Sequence, residues 1–147
     1  MNISDILSED MVLVDVDADN KRQLLEKVAD LVSERKNLDR NIVFEAILER
    51  ENLGSTGYGN GVAFPHARID GLKRNVTAFV RLNRAIDYDS LDSKDVDLLA
   101  FLISSEQNGE DHLQALAAFS RALKNDGICR KIRTAKSSHE IYVALQS

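Results

Sequence analysis

The sequence predicts an α/β fold, a three-layer α/β/α sandwich with a mixed β-sheet flanked by helices on both faces. Three observations carry this. A short β-branched run near the N-terminus is followed by two amphipathic helical stretches, strand-like apolar runs occupy the middle of the chain, and three further helical stretches close it. Strands interleaved with blocks of helix bury both kinds of apolar face only when the helices cover a sheet.

The elements follow in order. Ile3, Ile6 and Leu7, with Ser4 or Asn2 as cap, fit one helical turn, and Met11–Val16 reads as a strand. From Asn20 to Lys36, Leu24, Leu25, Val28, Leu31 and Val32 recur at helical spacing, and Asn37 is a stop. Asp39 caps a second helix with an apolar face of Ile42, Val43, Ala46, Ile47 and Leu53, and Gly54 fits the position after its end. Val76–Leu82 reads as a strand, Asn83–Lys94 as turn and loop, and Asp95–Ile103 as a strand central in the sheet. A polar segment, Ser104–Asp111, leads into a helix carrying Leu113, Leu116, Ala117, Phe119, Ser120 and Leu123. Asp126–Arg133 and Ser137–Leu145 are two more helices, the last capped by Ser137 or Ser138.

A chain of 147 residues is expected to form one domain, residues 1–147, and to bury about 70% of its unfolded surface without disulfides or metal. The net charge of −5 argues against general nucleic-acid binding, which needs a basic face. A lone cysteine, Cys129, suits a reducing compartment. With no apolar run near ~20 residues and no signal-peptide pattern at the start, a cytoplasmic location is expected, without membrane insertion.

One stretch stands apart: Gly54-Ser-Thr-Gly-Tyr-Gly-Asn-Gly-Val-Ala-Phe-Pro-His-Ala-Arg68. Four of the seven glycines lie in it, and the only proline, Pro65, directly precedes His66. Glycine lets a backbone approach a ligand closely, whereas proline fixes its own φ and holds Phe64 extended. The pairing suits a loop that holds one imidazole at a set angle, and His66 is read as a nucleophile for a phosphoryl group. The stretch lacks the Gly-Lys-Ser/Thr of a Walker loop, the G-x-G-x-x-G spacing of a dinucleotide site and the G-x-S-x-G of a hydrolase elbow. Of the other two histidines, His139 reads as polar surface, and His112 opens a helix after a polar loop. One cysteine and three scattered histidines do not make a zinc site.

The glycine stretch, with Arg50-Glu51 before it, resembles the enzyme IIA domains of the mannitol/fructose type from the bacterial phosphoenolpyruvate-dependent sugar phosphotransferase system. The later block His112-Leu-Gln-Ala-Leu-Ala-Ala-Phe-Ser-Arg121 resembles that family's second histidine block. Tyr58 and Phe64 stand where the family more often has aliphatic residues. The resemblance implies a mixed sheet sandwiched by helices, a phosphoryl-accepting histidine at His66, and supporting roles for Arg50 and His112. Ser55, Thr56 and the backbone at Gly57, Gly59 and Gly61 are expected to complete the anion cradle. It implies a histidine-containing phosphocarrier protein as donor, an enzyme IIB component as acceptor and no cofactor. The alternative is a nitrogen-related regulatory module, in which phosphorylation of His66 controls binding to target proteins with no sugar involved.

Overall fold

The computed structural model describes residues 2–107 and 109–147. Helix α1 (Ile3–Ile6) and a 3-10 turn lead into β1 (Val12–Val16), then α2 (Lys21–Lys36) and α3 (Arg40–Leu53). Five strands follow: β2 (Gly57–Gly59), β3 (Val62–Ala63), β4 (His66–Ile69), β5 (Val76–Ile86) and β6 (Val96–Ser105). Helices α4 (Gly109–Leu123), α5 (Asp126–Thr134) and α6 (Ser138–Leu145) complete the chain. The six-stranded sheet runs β1-β5-β6-β3-β2, with β4 also on β6. It is mixed: β1 is parallel to β5, β5 antiparallel to β6, and β3 and β4 parallel to β6. Among the described residues no helix is long and apolar enough to cross a membrane.

β6 is central, as its continuous apolar run predicts. All of its residues except Asp97 are buried, so both faces of the strand are covered. One edge of β6 carries β5. Along the other edge β3 and β4 lie end to end, with Ala63 opposite Leu99 and His66 opposite Leu102. The offset is the same on both strands, so Phe64-Pro65 interrupts the pairing without shifting the register. Pro65 has no N–H to give, yet its carbonyl still accepts from Leu102 N–H at 3.0 Å. The Phe64 N–H turns to the Thr56 carbonyl, also at 3.0 Å.

The structure departs from the sequence reading in three places. The glycine stretch is not one loop but three short strands, and His66 opens the third. Glycine and asparagine are poor strand formers, and only pairing with β6 makes these segments extended. β5 runs on to Ile86, whose partner is Val96, past a register shift that leaves Asn83, Arg84 and Ala85 exposed. Ser104 and Ser105 continue β6, so the polar segment begins two residues later than the composition indicates.

The helix faces also shift. In α3 the buried positions are Val43, Phe44, Ile47 and Glu51, while Ile42 and Leu53 are exposed. Phe44 turns inward, and the guanidinium groups of Arg22 and Arg40 lie 5.4 and 5.2 Å from its ring centre. In α4, His112, Ala115, Ala118 and Phe119 face inward, whereas Leu113 and Ala117 point to solvent. Asn37 does end α2, in the left-handed conformation (φ 54°).

Helical period places Glu51 one turn beyond Ile47, on the buried face. Its carboxylate accepts Thr56 N–H at 3.1 Å and the Thr56 hydroxyl, and pairs with Lys21 Nζ at 3.0 Å. Lys21 Nζ lies 4.5 Å from the Tyr88 ring centre, and the Tyr88 hydroxyl is 3.3 Å from Thr56 Oγ1. Burial, reinforced by Glu51, pushes the Tyr88 phenol well above its ordinary value, so it stays protonated. This network ties the start of α2 and the end of α3 to the glycine stretch. Glu51→Ala strands two donors and one ammonium group and is expected to cost about 3 kcal/mol in urea denaturation. A loss below about 1 kcal/mol would show that the network does not hold the stretch in place.

Candidate functional site

His66 begins β4, held by the ladder to β6 and by the rigid dipeptide before it. Its Nδ1 lies 2.7 Å from the Phe64 carbonyl. A carbonyl only accepts, so Nδ1 carries the proton and Nε2 keeps its lone pair. The break in the β3–β4 ladder therefore frees one carbonyl, and that carbonyl sets the tautomer of the imidazole.

His112, the fourth residue of α4, is buried, and its ring centre is 5.2 Å from that of His66 with the planes inclined at 56°. Ser104 Oγ at the end of β6 is 2.5 Å from His112 Nδ1. Arg50, in the last turn of α3, donates through Nη1 to the Gly54 carbonyl at 2.9 Å, which fixes the arm while leaving other donors open. A hollow of about 510 Å³ is lined by Arg50, His66, Arg68 and His112, with Glu49 and Glu106 at its edge. The three residues carried over from the resemblance thus meet in one place, and Arg68 joins them. Sequence reading gave Arg68 no role, although its position two residues beyond His66 puts it on the same face of an extended strand.

Both imidazoles are biased toward the neutral form. Burial lowers the pKa of His66; the Phe64 carbonyl works against this, and the charges of Arg50 and Arg68 add to it. Burial, followed by His66 and Arg68, brings His112 down to about 4. Near neutral pH the site therefore offers two uncharged rings beside two guanidinium groups, which suits an anion arriving at a nitrogen nucleophile.

The glycine stretch divides into two parts. Ser55, Thr56 and Gly57 line a second hollow that also includes Arg50, His66, Tyr58 and Phe64. Within it, the Ser55 hydroxyl donates to the Tyr88 carbonyl at 2.9 Å and accepts from Gly57 N–H at 3.1 Å. The Thr56 hydroxyl is engaged by Glu51. These groups brace the segment from behind. Gly57 itself is packed so closely that a Cβ there would lie 2.1 Å from Ser90 Oγ and 2.9 Å from Ser90 Cα. Gly59 and Gly61 line neither hollow. The Gly61 carbonyl accepts from Asp97 and Leu98 N–H, and at φ 84° a Cβ on Gly61 would lie 2.5 Å from Arg133 Nη2. His139 hydrogen-bonds Glu9 on the exposed surface. Among the described residues, no group of three or more His, Cys, Asp or Glu side chains could hold a metal ion.

Comparison with known proteins places the chain in a family. The family model for the phosphoenolpyruvate-dependent sugar phosphotransferase system, EIIA 2, matches residues 5–147. The chain is 37% identical over 145 residues to a nitrogen regulatory protein of Bradyrhizobium diazoefficiens, covering 99% of this chain and 95% of the relative. It is 33% identical over 141 residues to the fructose-specific EIIA component of a PTS system from Haloferax volcanii, covering 95% and 92%. The nitrogen regulatory protein IIA-Ntr from Neisseria meningitidis has the same fold, with a TM-score of 0.91 at 32% identity over 97% of this chain and 98% of that one. Sequence and fold agree along nearly the whole chain, which belongs to the EIIA 2 family of the phosphoenolpyruvate-dependent sugar phosphotransferase system.

Proposed function

We propose that this protein is a phosphoryl carrier, a transferase component in which His66 Nε2 accepts a phosphoryl group and hands it on. The observation that carries this reading is the 2.7 Å contact from His66 Nδ1 to the Phe64 carbonyl, which leaves Nε2 as the free lone pair beside Arg50 and His112. The donor is a histidine-containing phosphocarrier protein, and the acceptor is an enzyme IIB component on the route of sugar uptake. The names of the nitrogen regulatory relatives favour a second reading, in which the phosphorylated and free forms differ in their binding to a regulatory target.

The transfer balances as follows. The Nε2 lone pair attacks phosphorus, and the bond from phosphorus to the donor's ring nitrogen breaks, its electron pair returning to that ring. Nδ1 keeps its proton, and the Phe64 carbonyl stabilises the positive charge that the His66 ring acquires. Arg50 presents a planar fork of donors to the phosphoryl oxygens. Ser104 donates to His112 Nδ1, so that His112 offers Nε2–H to the same group. Ser55, Thr56 and Gly57 shape the wall of the site. The scheme needs neither metal nor organic cofactor, because the incoming phosphoryl group is already activated as a phosphoramidate and the protein's task is alignment and charge.

Incubation with phosphoenolpyruvate, enzyme I and the carrier protein is expected to add one acid-labile phosphoryl group, read by intact mass. His66→Ala should take none, and Arg50→Ala should slow the transfer about 100-fold. An unmodified wild-type chain, or full labelling of His66→Ala, would overturn the reading.

The pH dependence has a definite sign. Protonated His66 has no lone pair at Nε2, and its pKa lies below the ordinary 6.5. The single-turnover rate of phosphoryl acceptance is expected to be level from pH 8 to 7 and to fall only as the pH drops through that lowered value. A nitrogen-15 imidazole spectrum at pH 7.5 should show the Nδ1–H tautomer. An Nε2–H tautomer, or a rate already falling at pH 7.5, would contradict the assignment.

A further inference from the structure

We propose that the recess behind His112 is a binding site for a small aliphatic ammonium ion, whose occupancy reaches the phosphoryl site through Ser104 and His112. The binding stands by itself; its effect on transfer rests on the phosphoryl-carrier reading above.

The recess has a volume of about 220 Å³ and lies between α1, the first turns of α4 and the paired ends of β5 and β6. Its position follows from register. Leu102 of β6 pairs with His66 on one edge and with Thr77 of β5 on the other, so the three stand in a row across the sheet. Adjacent strands are about 4.8 Å apart, which puts the Thr77 backbone roughly 10 Å from that of His66. His112 lines both this recess and the hollow that contains His66, so one imidazole is the partition between them. Ser104, whose hydroxyl meets His112 Nδ1 at 2.5 Å, lines the recess as well.

The chemistry of the walls selects the ligand. Thr77 is only 7% exposed, lines the recess, and has no hydrogen-bond partner for its hydroxyl among the described residues. The unpaired hydroxyls of Ser33 and Ser90 are sealed off by protein, whereas that of Thr77 is not. A buried hydroxyl without a partner is costly, so one that opens into a recess marks a place for a polar group. The Ser104 oxygen, having given its proton to His112, also has acceptor capacity left. Two carboxylates stand at the mouth. Asp111, in the first turn of α4, has no side-chain hydrogen bond or ion pair among the described residues; Asp5 of α1 accepts Asn2 N–H at 2.8 Å through one oxygen and keeps the other. No lysine or arginine lines the recess, so an anion would be repelled. No group of three or more His, Cys, Asp or Glu among the described residues could hold a metal ion, and the wall of Ile6, Leu102 and Ala115 suits a hydrocarbon stem. Acceptor oxygens, negative charge and a short apolar wall together fit an ammonium group on a chain of a few carbons. Such a group, donating to Ser104 Oγ, polarises the bond from Ser104 to His112 Nδ1 and so strengthens His112 Nε2–H as a donor to the phosphoryl oxygens.

The test uses 1-aminobutane, an ammonium ion at neutral pH, with 1-butanol as its uncharged isostere at constant ionic strength. In nitrogen-15 NMR titrations the amine is expected to shift the amide signals of Thr77, Ser104 and Ala115 and the ring signals of His112 saturably, with butanol about tenfold weaker. Thr77→Val, which keeps the shape and loses the hydroxyl, and Asp111→Asn should each weaken binding about fivefold and leave the basal rate of acceptance from the phosphocarrier unchanged. At saturation the amine should raise that rate about threefold in the wild type, and the same concentration should leave it unchanged in Thr77→Val. Linear shifts spread over surface carboxylates, equal binding of butanol, or undiminished binding by both variants would overturn the site. Saturable binding with no change in rate would overturn the link to the phosphoryl site. A wild-type chain that binds the amine and accepts no phosphoryl group would defeat the carrier reading and leave the recess standing as an ammonium site.

Discussion

The site depends on one constraint: Phe64 and Pro65 must pass along the edge of β6 without changing the register set by Ala63 and restored at His66. A proline in a strand removes a ladder donor, and here it does so where the neighbouring carbonyl has another use. The Pro65 carbonyl remains in the ladder, the Phe64 N–H goes to Thr56, and the Phe64 carbonyl is left to hold His66 Nδ1. Position, orientation and tautomer of the imidazole therefore follow from backbone pairing to the buried central strand β6. A side-chain partner would have needed its own support; a carbonyl in the edge of the sheet has that support already.

The rest of the site meets this fixed ring from other elements. α3 supplies Arg50, and its inward Glu51 holds Thr56, so one helix end both delivers a cation and anchors the glycine stretch. β6 ends in Ser104, which meets His112 on the following helix. The same strand thus pairs with His66 at one point of its edge and steers His112 a few residues later. Although the chain as a whole is acidic, the cations gathered here are local, and locality decides what the site attracts because exposed charges farther than about 10 Å are screened.

Much of this was legible in the sequence. The apolar run of β6, the two amphipathic helices before the glycines and the Pro-His pair each point to their element or role through local rules of period and backbone geometry. What could not be read was mostly non-local. Gly57–Gly59 and Val62–Ala63 are strands only because partners sit beside them. Ile86, Tyr88 and Ser90 are buried in alternation, a strand-like signal hidden among the aspartates and serines of that segment. Ile42 and Phe44 exchange faces because α3 packs on α2 through Phe44, which periodicity alone cannot decide between adjacent apolar residues. Ser55 and Thr56 read as a polar cradle, yet their hydroxyls are drawn inward by Tyr88 and Glu51, groups 33 and 5 residues away. Arg68 was readable in principle, since alternation from His66 marks it, but the reading of that segment as loop concealed the alternation.

The surface around His66 bears on the choice between relay and regulation. Leu113, Leu116 and Ala117 of α4, with Leu53 of α3 and Tyr58, border the two hollows and leave apolar surface beside His66. The imidazole is fixed by the backbone, so phosphorylation needs no rearrangement of the fold to be felt. It adds a phosphoryl group, a net negative charge, to a ring that was uncharged and is flanked by guanidinium groups, at the centre of that apolar rim. A partner that matches the cationic form meets repulsion or neutralised cations in the other form, which is a change in binding free energy confined to the contact surface. Relay and regulation therefore draw on the same local event. They differ in whether the protein seated on the rim carries a nucleophile able to reach phosphorus in line with Nε2.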